Sequence, residues 1–419
     1  MKANFRHLYW DVLWFGVLTG STMTFMAIFA SRQGASAFQV GLLTAGPAVV
    51  NLALSLPAGK WLENRSLIRI AYITAFWHRL AYVLMIFLPG MLSATFQLNS
   101  LVGLIAIMSI PGAVLAIAFN AMFADVVPPE FRGEVVGRRN AILAISIVAS
   151  SLISGQLLDR LPDPVNYQLV FAIGSIGAMA STYHLWRLRS GKGGVPARVG
   201  RPLMDLARPG TMRFLDVFRA PIGLRFLTRA SGTPLIRKEI LLGSYGTFMI
   251  SCLIFYTAQY IPIPLFPIYS VRELSLSDGE ISVGTSLFYV TMLLMSLQIR
   301  WLSARFGHRR ILLIGGLIYG IYPLIMGFAR DERLFWIASL CAGANWALLN
   351  AGLVNRLMER APENERPAYM ALHNLVLNVG ILAGSIIGPG LVGVLELRQA
   401  VFLSAGLRLL GGLFFVLWG

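Results

Sequence analysis

His78 and Arg79 are adjacent in the middle of a long apolar stretch, with no acid close to them in sequence. A guanidinium held away from water binds an anion, closes on a buried carboxylate, or bonds to backbone carbonyls, and the residue type fits all three. Asp11, about one turn into the first apolar run, is an acid that could serve as such a partner. Arg408, in the last apolar run, is a second intramembrane cation. No Asp or Glu falls near the centre of any apolar run, which argues against an acid-centred cation site and leaves sodium without an evident carboxylate ligand. Proton coupling through Asp11 or a histidine such as His78 stays open, because imidazole changes charge near physiological pH.

Uncharged polar groups are more plentiful. Tyr256, Gln259 and Tyr260 are spaced i, i+3 and i+4 and share one helix face. Asn345, Trp346 and Asn350 form a second group, His373, Asn374 and Asn378 a third, and Asn51, Asn120 and Tyr289 add to them. Amides and aromatics around a cavity suit a neutral or weakly polar organic solute. The same residues also serve as interhelical hydrogen bonds, each contributing about 0.6 kcal/mol. Phosphate-binding loops, metal-spaced His/Cys sets and nucleophile elbows are missing, so no enzyme chemistry, cofactor or metal is expected. Cys252 and Cys341 lie inside apolar runs and read as packing residues.

The elements that must hold these groups follow from composition. Of 419 residues 56% are hydrophobic and 13% charged, too few charges to cover a water-soluble surface. Apolar runs long enough to cross a bilayer lie near 9–31, 38–59, 67–90, 98–123, 139–158, 166–187, 240–269, 280–299, 309–329, 334–354, 367–394 and 399–419. The expected fold class is an all-α integral membrane protein of twelve transmembrane helices in two six-helix bundles. The first run is too long for the core of a cleaved leader and reads as a retained span.

Net charge is +16, which topology explains without nucleic acid. Of 35 Lys and Arg, six (Arg32, Arg160, Arg272, Arg330, Arg333, Arg398) fall in connections after odd-numbered spans, Arg79 and Arg408 lie deep within spans, and 27 lie in the connections on the other side or at the span ends bordering them. The positive-inside rule then places both termini in the cytoplasm of a cell with a plasma (inner) membrane. The chain divides into 1–187, a basic linker 188–239, and 240–419. Residues 211–229 mix Phe and Leu with Arg, as in an amphipathic helix lying on an anionic inner leaflet.

The halves repeat. A shift of 240 aligns Arg32 with Arg272, Trp61 with Trp301, Leu62 with Leu302 and Arg65 with Arg305. A shift of 234 aligns Pro128 with Pro362, Arg132 with Arg366 and Asn140 with Asn374, while Asp125 meets Glu359. Helix breakers at Gly46-Pro47, Pro111-Gly112, Pro262/Pro264/Pro267 and Gly388-Pro389-Gly390 need buried or hydrated surroundings. The Gly380-x3-Gly384-x3-Gly388 run permits close helix approach.

On these residues the chain resembles the major facilitator superfamily over its whole length. The family signature after span 2, Gly-x-x-x-Asp-Arg-x-Gly-Arg-Arg, has two degenerate copies: Gly59-Lys60-Trp61-Leu62-Glu63-Asn64-Arg65-Ser66, with Glu for the Asp and no second Gly, and Arg305-Phe306-Gly307-His308-Arg309-Arg310, which keeps the basic end and has Ala304 in place of the acid. The glycine-rich motif of the drug-efflux branch, which belongs in span 5, is missing there (Ser150 to Gly155), and this weakens a drug-antiporter assignment. The resemblance implies two pseudo-symmetric bundles around a central cavity, spans 7 and 10 among its walls, and no ATP hydrolysis on this chain. It also implies a cytoplasmic gate at Gly59, Glu63, Arg65, Asp125 and Arg132, with Arg305, Gly307, Arg309, Glu359 and Arg366 as counterparts. The competing reading makes these charges topology determinants alone. The expected function is secondary active transport of a small organic solute by a monomer, with export favoured over uptake. A lipid-handling member of the fold and a non-transporting membrane sensor are the alternatives.

Overall fold

A computed structural model describes residues 2–62, 65–91, 93–189, 243–361 and 366–418. The stretch read as a surface helix, 211–229, and most of the linker 188–239 lie outside the described residues. Among those described every regular element is helical. We number twelve helices. The first half holds α1 (Lys2–Leu18, a π-turn Thr19–Met23, Thr24–Arg32), α2 (Ala37–Leu62), α3 (Leu67–Met85), α4 (Ala94–Val126), α5 (Pro129–Arg160) and α6 (Val165–Trp186). The second holds α7 (Ser244–Tyr260, Leu265–Ile268, a π-turn Tyr269–Glu273), α8 (Asp278–Phe306) and α9 (His308–Leu317, a 3₁₀ turn Ile318–Gly320, Ile321–Phe328). It continues with α10 (Glu332–Arg360), α11 (Arg366–Val392) and α12 (Leu397–Trp418).

Eleven of these are long and apolar enough to cross a membrane. The other, α3, carries Arg69, His78 and Arg79 along its length. Local sequence sets the ends. Ser93 and Asp331 cap α4 and α10 by accepting from the N–H groups of Phe96 and Leu334. Helix α5 opens on Pro129 with Glu130 in its first turn and closes on Arg160, charges that match the helix dipole. Gly307, at φ +78, makes the α8–α9 turn in a conformation that disfavours other residues.

The packing repeats as the sequence does. In the first half α1 packs on α5 and α6, α2 on α4, and α3 on α4 and α6. In the second, α7 packs on α11 and α12, α8 on α10, and α9 on α10 and α12. The halves meet through α5 on α8 and α11 on α2, again a symmetric pair. Lipid is as apolar as leucine, so close packing of small residues holds such helices together. A Cβ added at Gly380 would lie 2.6 Å from Tyr256 Cβ, and one at Gly384 2.7 Å from the Thr257 carbonyl, so the glycine run seats α11 on α7.

The apolar core is continuous across both halves on one face only. The cluster containing Phe25, Phe29, Tyr82 and Phe171 runs on into Leu265, Tyr269, Met326 and Phe335. Towards the face that carries the chain ends each half has a separate cluster, one around Leu8, Leu62 and Met122 and one around Phe248, Leu353 and Phe415. We call these the opposite face and the terminal face.

Candidate functional site

Two cavities lie at mid-depth, one on each half. The first-half cavity, about 520 Å³, is bounded by Asp11, Phe15, Met23, Asn51, His78, Arg79, Tyr82, Phe119, Asn120 and Arg139, among others. The second-half cavity, about 400 Å³, is bounded by Thr24, Gln259, Tyr260, Phe266, Tyr289, Tyr319, Tyr322, Cys341, Asn345, Trp346 and Arg408, among others. Consecutive residues of α1, Met23 and Thr24, each line one of them, so that helix borders both cavities.

The backbone is irregular where the cavities form. The α1 π-turn covers Thr19–Met23, and a shift of 240 places it over Gln259–Ile263, where α7 gives way before Pro262 and Pro264. Both first helices therefore leave α-geometry at one repeat position, which lets side chains point into the space between the halves. Helix α9 tightens to a 3₁₀ turn at Ile318–Gly320, presenting Tyr319. A Cβ on Gly320 would lie 2.8 Å from the Ala405 carbonyl, so this glycine lets α12 approach with Arg408.

In the first-half cavity Arg79 is 4% exposed. Its Nη1 donates to Thr182 Oγ1 at 3.0 Å, and Nη2 lies 3.9 Å from Asp11 Oδ1. Arg139 donates from Nη2 to Asp11 Oδ2 at 3.3 Å, and Ser181 donates to Asp11 Oδ1. One carboxylate thus serves two arginines, and both Nε groups lack a partner. The anion-or-acid alternatives for Arg79 therefore meet in one place: it faces Asp11 and a cavity at once. His78 donates from Nδ1 to the Met108 carbonyl at 2.8 Å, which fixes its tautomer.

The sequence candidates divide between cavity and scaffold. Asn51, His78, Arg79, Asn120 and Asp11 line the first cavity, and Gln259, Tyr260, Tyr289, Asn345 and Trp346 the second. Tyr256 is buried and meets His373 Nε2 at 2.7 Å across the α7–α11 seam. Asn378 donates to the Asn374 carbonyl, and Asn374 and Asn350 border neither cavity. Arg139, Thr24 and Cys341 were not singled out by sequence as lining residues. The repeat offset that aligns Thr19–Met23 with the proline-broken stretch of α7 was the available signal for Thr24.

Among the gate candidates, Arg65 stacks over Trp61 at 4.2 Å and Arg305 over Trp301 at 5.4 Å, the same contact in both repeats. Arg132 donates to the carbonyls of Val127 and Ala124, closing the end of α4, and Glu359 pairs with Arg356 at 3.3 Å. Asp125 is half-buried on α4, and Gly307 forms the α8–α9 turn. The side-chain environments of Gly59, Glu63, Arg309 and Arg366 lie outside the described residues.

The opposite face is shut by bonds between the halves. Arg32 reaches across from α1 to Asp278 Oδ1 at 3.1 Å and the Leu276 carbonyl at 2.8 Å. Its repeat partner Arg272 reaches the other way, to the Ala35 carbonyl at 2.7 Å. Tyr167 donates to Asp278, Ser277 and the Gly279 N–H donate to Asp159, and Ser385 meets Thr44 at 3.1 Å. All of these lie in the third of the helices nearest the opposite face.

A family model described as Major Facilitator Superfamily matches residues 13–251 and again 248–419. Multidrug resistance protein 1 of Bacillus subtilis (strain 168) is 26% identical over 159 residues, 37% of this chain and 39% of that protein. The matched region thus spans well under half of that relative's length. A mutant form of the nucleoside transporter NupG superposes with a TM-score of 0.71 at 11% identity, over 99% of both chains. A bacterial homologue of the iron transporter ferroportin in its inward-facing state gives 0.72 at 14% identity, over 100% of this chain and 99% of that one. With the family model matching both halves and the packing repeating between them, the chain belongs to the major facilitator superfamily, whose members are membrane transporters and not enzymes.

Proposed function

We propose that this protein is a secondary active transporter that carries a small organic solute by alternating access. The observation that carries the reading is a mid-depth cavity on each half of a molecule whose halves are clasped on one face. The Lys and Arg bias supports a cytoplasmic terminal face and residence in the plasma membrane, so the described state is inward-open. The inward-facing state of the ferroportin homologue among the similar structures agrees with that orientation.

In this state the gate candidates keep to their own half: Arg65 and Arg305 lie on tryptophans, and Arg132 of α5 closes the end of α4. We assign them to pairing across the terminal face when it closes, while the Arg32 and Arg272 clasp opens. Action as a monomer is part of this proposal. Export remains our preferred direction, and Asp11, shared by two arginines, is our candidate for coupling.

Counterflow of labelled solutes in proteoliposomes tests the reading. A transporter exchanges at least one solute across the bilayer without ATP. A well-folded preparation that exchanges none across a broad panel of metabolites, drugs and lipids defeats it.

A further inference from the structure

Among the described residues, the second-half cavity contains a cation with no counter-ion. Arg408 is 4% exposed, and among the described residues it forms no ion pair. Its one hydrogen bond runs from Nη2 to the Gln259 carbonyl, and its Nε has no partner. The guanidinium lies 4.8 Å from the Tyr319 ring centre and 5.4 Å from that of Phe266. Ring faces soften the burial of a cation but do not neutralise it. The same wall holds Asn345, whose Oδ1 is buried without a partner. Tyr319 and Tyr322 offer hydroxyls that make no hydrogen bond among the described residues.

Burying a charge whose donor has no partner is costly, and such groups are retained where a ligand completes them. The first cavity, which borders the same helix at Met23, adds Arg79 and Arg139 against the one carboxylate of Asp11. The two cavities are together lined by three arginines and one acid, a field that repels cations.

We propose that the transported solute is an organic anion with an aromatic or otherwise flat apolar body. Its carboxylate or phosphate takes the free donors of Arg408 and the phenols of Tyr319 and Tyr322, and its body lies against Phe266 and its neighbours. Arginine suits this role because its planar fork meets either group with two parallel bonds. The proposal rests on the transporter reading and gives it a substrate class.

The test is thermal melting of the purified full chain with benzoate, phenylacetate, indole-3-acetate and 2-naphthoate, each beside its neutral amide, and with 2-naphthyl phosphate. Dioleoylphosphatidylglycerol in mixed micelles is the arm for a lipid source of the anionic group. At least one soluble anion should stabilise the protein at a concentration roughly tenfold or more below its neutral match. Arg408→Gln should remove that preference while leaving the weak effect of the amide, and Arg408→Lys should keep part of it. Tyr319→Phe and Tyr322→Phe should each weaken the anion alone, and they provide the comparison if Arg408→Gln does not fold.

Equal response to acid and amide, a preference that survives Arg408→Gln, a shift from the lipid alone, or no shift from any probe would each overturn the proposal. Counterflow of neutral solutes in the same preparation separates the two readings, since it would keep the transporter while removing its anion selectivity.

Discussion

At the scale of single residues, the first-half cluster turns on one carboxylate. Asp11 is 3% exposed and lies within reach of Arg79 and Arg139, so removing it strands two buried cations. Breaking a buried pair costs about 3–5 kcal/mol because the remaining charge has lost its compensation. Asp11→Asn is therefore expected to lower the melting temperature in detergent sharply. Adding Arg139→Gln to that variant should restore part of the loss, since one stranded charge is then gone. A double-mutant cycle showing simple additivity would mean that the two residues are not coupled. The native thiols offer a second residue-level test. Cys252 is fully buried, whereas Cys341 is exposed and lines the second cavity. A hydrophilic thiol reagent should modify Cys341 at least about tenfold faster than Cys252, and bound solute should protect it. Equal labelling in mass spectrometry would place the cavity elsewhere.

At the scale of elements, the α7–α11 seam depends on absent side chains. A Cβ at Gly384 would sit 2.7 Å from the Thr257 carbonyl and 2.7 Å from Tyr260 Cβ, and backbone cannot turn aside as a flexible side chain can. Gly384→Ala is expected to destabilise by about 1–3 kcal/mol through overpacking. It should also weaken solute binding, because Tyr260 lines the cavity. Gly103→Ala, with nothing within 4 Å of the added carbon, is the control and should be neutral or stabilising by up to about 1 kcal/mol. The first half solves the same packing problem with other residues. There the glycines Gly16 and Gly20 lie on α1 against Ser146 and Ser150 of α5. The repeat conserves the closeness of the two helices but not which helix supplies the small residue.

At the scale of the molecule, the two halves are joined at the opposite face and separate towards the chain ends. Arg32 and Arg272 hold that face by reciprocal bonds, and Ala35 beneath them is fully buried. Arg32→Gln together with Arg272→Gln removes bonds that join the halves at this face, so it should shift the population towards the state open there. Ala35→Cys, in a background with Cys252 and Cys341 replaced, should then label with an impermeant maleimide roughly tenfold faster, equivalent to about 1.4 kcal/mol. An unchanged labelling rate would mean that the α2–α11 and α5–α8 contacts hold the face shut by themselves.

Much of this was legible in the residues. Span length, low charge and the placement of Lys and Arg answer to the bilayer, which acts on each segment separately, so one sequence suffices to read them. The doubling of Arg32 as Arg272 and of Trp61-Arg65 as Trp301-Arg305 survived in the sequence and reappears as reciprocal bonds and stacked rings. What a polar residue inside a span faces was not legible, because one helix turn decides between lipid, neighbour and cavity. Tyr256 and Tyr260 share a face of α7, yet the first is held by His373 and only the second lines a cavity. Arg79 and Arg408 read alike as buried cations. Only the tertiary structure brought Asp11 to the one and aromatic rings without a carboxylate to the other, since those partners come from helices distant in sequence.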